Sequence, residues 1–222
     1  MVKQLAEKRD NGVKGIVMQN AEDLSPGRVS HVGQVTPDHQ PATVRRNTSC
    51  RIATWNVQTL YQAGKLENVR REMQRLHINI LGLCETRWTE AGSFTLEDGS
   101  FMIFSGGSEH KHGVGMILDK ETARCIIGFW PISDRVLLVK VKNKPFDIDI
   151  IQVYAPTCDH SEEDMEKFYE ELENARKQCR CHDVVLIMGD MNAKVGQGKQ
   201  GKVVGKYGLG SRNERGNMGR MV

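Results

Sequence analysis

"VVLIMGDMNAKVG", residues 184–196, runs through five apolar residues and then breaks into a glycine, the carboxylate of Asp190 and the amide of Asn192. A short apolar run bounded by turn residues reads as a strand buried on both faces. Just before it, "DHSEEDMEKFYEELENARKQC" (159–179) places Met165, Phe168, Leu172, Ala175 and Cys179 three or four residues apart, the spacing of one helical face. Ser161 is suited to cap that helix, with Asp164 three residues on. Acids crowd its first turn, and Lys177 and Arg180 lie near its end.

Upstream, "FDIDIIQVYAP" (146–156) alternates Phe146, Ile148 and Ile150 with Asp147 and Asp149, which predicts a strand with one wet face. "SFMIFSGG", "HGVGMILD", "ARCIIGFWPI" and "DRVLLVKVK" read as four more strands separated by turn residues. "INILGLCETRW" is an apolar strand ending at Glu85, and "CRIATWNVQTL" is another ending at Asn56. Between them, "KLENVRREMQRLHI" carries Leu66, Val69, Met73 and Leu76 on one helical stripe. Strand, helix, strand, a meander, helix, strand is the order of sheets with helices on their outer faces, not of a strict parallel repeat.

A length of 222 residues with 39% hydrophobic and 27% charged residues suits one globular domain and a tail. Residues 1–48 lack sustained periodicity and read as a flexible leader, leaving residues 49–222 as the domain. No apolar stretch reaches the roughly 20 residues that span a bilayer, and the first residues lack the apolar core of a secretory signal. The expectation is an intracellular protein without a membrane partner. Six scattered cysteines suit reduced packing residues, and Cys179 and Cys181 have the wrong spacing for a zinc knuckle.

The net charge of +3 conceals a division. Residues 49–192 carry 17 Lys+Arg against 22 Asp+Glu, whereas residues 193–222 carry 7 against 1 together with 8 glycines. A basic, glycine-rich end suits either a polyanion or open solvent.

Asn56, Glu85, Tyr154, Asp190 and Asn192 all lie at or just beyond the ends of apolar strands. Carboxylates suit Mg²⁺, which takes one or two of them and keeps water and substrate phosphate as its other ligands. A phenol and amides can donate to phosphate oxygens, and a carboxylate can orient or deprotonate a water. Each residue alone is also what an ordinary strand end contains. Their joint occurrence is the signal, since neighbouring strands bring their ends to one edge.

"ATWNVQTL", "LGLCETRW", "HGVGMIL", "IQVYAP" and "LIMGDMNAKVG", in this order, resemble the endonuclease/exonuclease/phosphatase superfamily. Within it they look most like endonuclease domains of RTE- or BovB-type retrotransposons and the craniofacial development protein 2-like proteins, as does "NERG" at residues 213–216. The resemblance spans about residues 49–217. It implies a four-layered α/β sandwich and a divalent-metal phosphodiesterase that nicks DNA, working with Mg²⁺ or alternatively Mn²⁺ in the nucleus. Glu85 would hold the metal with Asn56 beside it, and Tyr154 would contact the scissile phosphate. Asp190 would orient or activate the attacking water, and Asn192 would hold Asp190 and a phosphate oxygen.

Two departures accompany the resemblance. Gln58 stands where many members have Asn or Asp. The family also closes on a Ser-Asp-His motif, whereas none of the seven histidines here follows His182. The sandwich is therefore expected to be incomplete at its C-terminal end, with His112 and His182 placed too poorly to substitute. The alternatives are a catalytically dead remnant that binds nucleic acid through its basic end, and a headgroup or nucleotide phosphatase of the same superfamily.

Overall fold

The structure, a computed structural model, describes residues 14–18, 50–157 and 159–193. The elements are β1 (Lys14–Met18), β2 (Cys50–Asn56), α1 (Lys65–Arg75), β3 (Ile80–Cys84), β4 (Ala91–Thr95), β5 (Phe101–Ser105) and β6 (Val114–Leu118). After them come α2 (Lys120–Ala123), β7 (Ile126–Pro131), β8 (Val136–Val141), β9 (Ile148–Tyr154), α3 (Glu162–Lys177) and β10 (Val184–Asp190). They form a six-stranded sheet, β1-β2-β3-β6-β5-β4, and a four-stranded sheet, β10-β9-β8-β7. Both are mixed: β2 runs parallel to β3 and β9 parallel to β10, while the remaining neighbours are antiparallel.

Three apolar layers hold the sandwich together. Ile52, Ile80, Met116 and Leu118 of the larger sheet pack against Leu137, Val139, Ile150 and Met188 of the smaller one. On the outer face of the larger sheet, Val69 and Met73 of α1 cover Ala53, Leu81, Leu83 and Ile117. On the opposite side Phe168, Leu172 and Ala175 of α3 cover Val136, Leu138, Ile151 and Val153. Helix, sheet, sheet, helix is the expected four-layered α/β sandwich.

The helices follow their sequence signals. Ser161 accepts from the Asp164 backbone N–H at 3.2 Å, and the Asp164 carboxylate accepts in return from the Ser161 N–H, a complete capping box. The inward stripe of α3 is Phe168, Leu172 and Ala175, with Met165 and Cys179 half-buried at its ends.

In three places the structure departs from the sequence reading. The wet face predicted for β9 does not exist, because every residue of that strand is buried. Asp149 is 0% exposed and paired with Lys140 Nζ at 3.2 Å across the β8–β9 ladder. Asp147 is likewise buried and meets Lys142. Alternation marks which residues share a face, not whether water reaches that face, and here α3 covers it. Secondly, Lys14–Met18, read as part of a leader, form a strand antiparallel to β2, while the rest of residues 1–48 lies outside the described residues. Thirdly, β4 and the single turn of α2 carry no apolar run or periodicity that would have announced them.

Two glycines fix close approaches. Gly189 has φ of +141°, and a Cβ there would strike the Val153 carbonyl, so only glycine lets β10 reach Asp190 against β9. Gly82 faces the buried Gln152 amide, which would occupy the space of any Cβ. That amide donates to Thr54 Oγ1 and to the Leu83 carbonyl, pinning the two sheets together.

Candidate active site

The parallel pairs determine where the functional side chains meet. Asn56 ends β2 opposite Cys84, so Glu85 is the next residue out on the neighbouring strand. In the other sheet Asp190 ends β10 directly opposite Tyr154 at the end of β9. These two pairs of strand ends face one another at one end of the sandwich. Asn56 Nδ2 donates to Glu85 Oε1 at 2.8 Å and to Asp190 Oδ2 at 3.0 Å. Tyr154 donates its hydroxyl to Glu85 Oε1 at 3.1 Å. The side chains of four of the five residues picked out from sequence therefore form one connected network.

Local backbone geometry holds each group in place. Only the NH₂ of Asn56 can face two carboxylates, and its Oδ1 accepts from the Gln58 N–H at 3.1 Å. Glu85 (φ 57°) and Asn192 (φ 46°) both adopt the left-handed region, which asparagine tolerates better than glutamate does. Asn192 holds Asp190 through its backbone N–H, which donates to Oδ1 at 3.0 Å. Its side-chain amide donates to the Ala155 carbonyl at 2.6 Å.

The charges are unbalanced. One amide nitrogen spans two carboxylates, and among the described residues the cation paired with either is Arg87, at 3.2 Å from Glu85 Oε2. Burial, then the Glu85 charge and its hydrogen bond, push the Tyr154 phenol from 10 up to about 12, so it remains a donor throughout the neutral range. Because its folded value is raised, the stability that this phenol contributes is complete below pH 10 and is lost as the pH climbs toward 12. The tyrosinate absorption difference between wild type and Tyr154→Phe is expected to titrate near 12; a midpoint near 10 would contradict this packing.

A second cluster supports Tyr154 from behind. Arg135 is 8% exposed, donates to the Tyr154 carbonyl at 3.2 Å and lies 5.3 Å from its ring centroid. The same guanidinium reaches His112 Nε2 at 3.0 Å and His160 Nε2 at 3.1 Å. Arginine can only donate, so both Nε2 atoms accept and each ring carries its proton on Nδ1. His112 Nδ1 then donates to Asp134, and this contact first of all holds the Asp134 carboxyl below the usual carboxylate range. Sequence reading placed His112 merely at the start of a strand and missed Arg135 and Arg87. These residues sit in turns far apart in the chain, where no periodicity marks them.

Among the described residues no group of three or more His, Cys, Asp or Glu side chains is arranged to hold a metal by itself. Two carboxylates sharing a neutral donor still form an oxygen-rich, electron-rich pair, which suits a hard dication that takes one or two protein carboxylates. His182 is exposed, and its ring nitrogens lie 3.4 and 3.5 Å from the sulfur of its neighbour Cys181, which is not part of this network. The basic segment from residue 194 onward, including "NERG", lies outside the described residues.

Comparison with known proteins identifies the family and the fold. The Endonuclease/Exonuclease/phosphatase family profile matches residues 53–198. Craniofacial development protein 2 of Bos taurus is 39% identical over 165 residues, covering 74% of this chain and 28% of that protein. The chain thus spans under a third of the length of that curated relative. Among solved structures, an AP endonuclease from Archaeoglobus fulgidus superposes with a TM-score of 0.50 at 22% identity, over 66% of this chain and 59% of that one. AP endonuclease LMAP from Leishmania major gives 0.50 at 15% identity, over 78% and 64%. At those identities the structural likeness speaks for the fold, and the family match over residues 53–198 speaks for descent. This chain belongs to the endonuclease/exonuclease/phosphatase family.

Proposed function

We propose that this chain is a divalent-metal-dependent phosphodiesterase domain that nicks DNA, of the type carried by retroelement endonucleases. The observation that carries this reading is the convergence of Asn56, Glu85, Tyr154 and Asp190 from two sheets into one hydrogen-bonded network. Glu85, with Asn56 beside it, would hold Mg²⁺, or alternatively Mn²⁺. When bound, the ion supplies Lewis-acid polarisation of a phosphoryl oxygen and neutralises its charge. The Tyr154 hydroxyl, which here donates to Glu85 Oε1, would donate its hydrogen bond to a phosphate oxygen. Asp190, fixed through Oδ1 by Asn192 and through Oδ2 by Asn56, presents a carboxylate able to orient a water and accept its proton. "CETRW" and "NERG" support the nuclease side of the family over the phosphatase side, and the nucleus is where such a substrate resides.

A second reading, nucleic-acid binding without hydrolysis, is favoured by one observation. Among the described residues no imidazole nitrogen hydrogen-bonds to Asn56, Glu85, Asp190 or the Tyr154 hydroxyl. Incubating the full chain with supercoiled plasmid, with Mg²⁺ or with chelator, separates the two. Nicking that needs the metal and disappears in Glu85→Gln is the expected result. Retention of DNA on a gel without nicking would overturn the enzymatic reading and leave the binding one.

A further inference from the structure

Tyr61 lies in the loop between β2 and α1, and at 66% exposure it is the most exposed large hydrophobic side chain of the described residues. An exposed aromatic alone means little, but this one is held. Its ring lies 4.6 Å from that of His110, with the planes tilted by 54°. His110 Nδ1 is 2.8 Å from the Arg87 carbonyl; a carbonyl can only accept, so this nitrogen carries the proton and the ring orientation is fixed.

The loop is also tied to the active-site strand. The Val57 N–H donates to the Cys84 carbonyl at 3.0 Å and the Leu60 N–H to the Thr86 carbonyl at 2.9 Å. Tyr61 therefore follows Leu60, and Leu60 is bonded to the residue next to Glu85. Gln58, Thr59, Glu85 and Arg87 all have positive φ, and such strain persists only where the surroundings impose it. The Tyr61 ring is braced by an imidazole yet remains 66% exposed, and the Arg87 guanidinium on Glu85 is 44% exposed. An exposed ring whose bracing imidazole is bonded to the Arg87 backbone, with the Arg87 cation at a site that would bind a phosphate, matches a nucleotide: base on the ring, phosphate on the charge.

We infer that Tyr61, braced by His110, is a stacking platform for an unpaired base of a DNA strand whose phosphate enters the Glu85–Asp190 site. This rests on the nuclease reading and refines its substrate class to DNA with an unstacked or unpaired base near the scissile bond. A ring with two rotatable bonds, already immobilised, loses little entropy when a base stacks on it. A fully paired duplex keeps its bases stacked on one another and would gain little from the platform.

Fluorescence anisotropy of labelled DNA with the full chain in chelator, where no strand is cut, tests this. The probes are a single strand, a perfect duplex and the same duplex with one unpaired base. Tyr61→Ala is expected to weaken binding of the first and third by roughly tenfold and of the perfect duplex by less than about twofold. Tyr61→Trp is expected to restore binding, with its indole fluorescence quenched on contact with the base. The side chain is exposed, so its truncation leaves the core untouched, and unchanged thermal unfolding of Tyr61→Ala checks this. Equal loss on all three probes, or no loss on any, overturns the platform while leaving the nuclease reading in place. Wild-type protein that binds none of the probes overturns both.

Discussion

Asp190→Asn is expected to reduce metal-dependent nicking by about 10²- to 10⁴-fold, the usual contribution of a positioned general base, with thermal unfolding nearly unchanged. The replacement keeps the shape, and its carbonyl oxygen can still accept from the Asn192 N–H or from Asn56. An amide cannot take a proton from water at neutral pH. The same change removes one of the two carboxylates that share the Asn56 amide and so relieves their repulsion. Loss of activity accompanied by equal or higher stability is therefore the signature of a chemical role. Nicking within about twofold of wild type would remove Asp190 from the reaction.

Lys140→Met is expected to destabilise the fold by about 3–5 kcal/mol, the range for breaking a buried ion pair by removing one partner. Asp149 would then be left as a carboxylate with 0% exposure and no cation, beneath α3. Lys140 also donates to the Gln178 carbonyl at 2.6 Å, so its removal frees the end of α3 from the sheet. The double variant Lys140→Met with Asp149→Leu is expected to recover most of the loss, since apolar replacement of a buried pair is often neutral or stabilising. Urea midpoints of the two single variants and the double one give the coupling directly. Additive losses would show that the two charges do not depend on each other.

The site was more legible in the sequence than the surface around it. Strands buried on both faces leave contiguous apolar runs, and the first polar residues after such runs, Asn56, Glu85, Tyr154 and Asp190, had to emerge at sheet ends. Parallel pairing then brought them together, and the pairing is encoded by the helices that link β2 to β3 and β9 to β10. Asp149 misled for the opposite reason. Its neutralising partner is nine residues away across a hairpin, and the helix that hides it comes later in the chain. The His112–Arg135–His160 cluster was illegible because three separate non-helical, non-strand segments build it, and no periodicity links residues so far apart in the chain.

Asn56 belongs to one sheet and Asp190 to the other, 134 residues apart in the chain. The hydrogen bond between them is a latch across the central seam, so the reactive arrangement exists only while the two sheets are docked. Among the described residues β10 is held laterally by β9 alone. Peeling it away would withdraw the Asp190 carboxylate while Glu85 and Tyr154 stayed in contact. Competence is thereby tied to the seating of β10, which among the described residues is an edge strand of the smaller sheet, and denaturant that loosens this strand should silence the site.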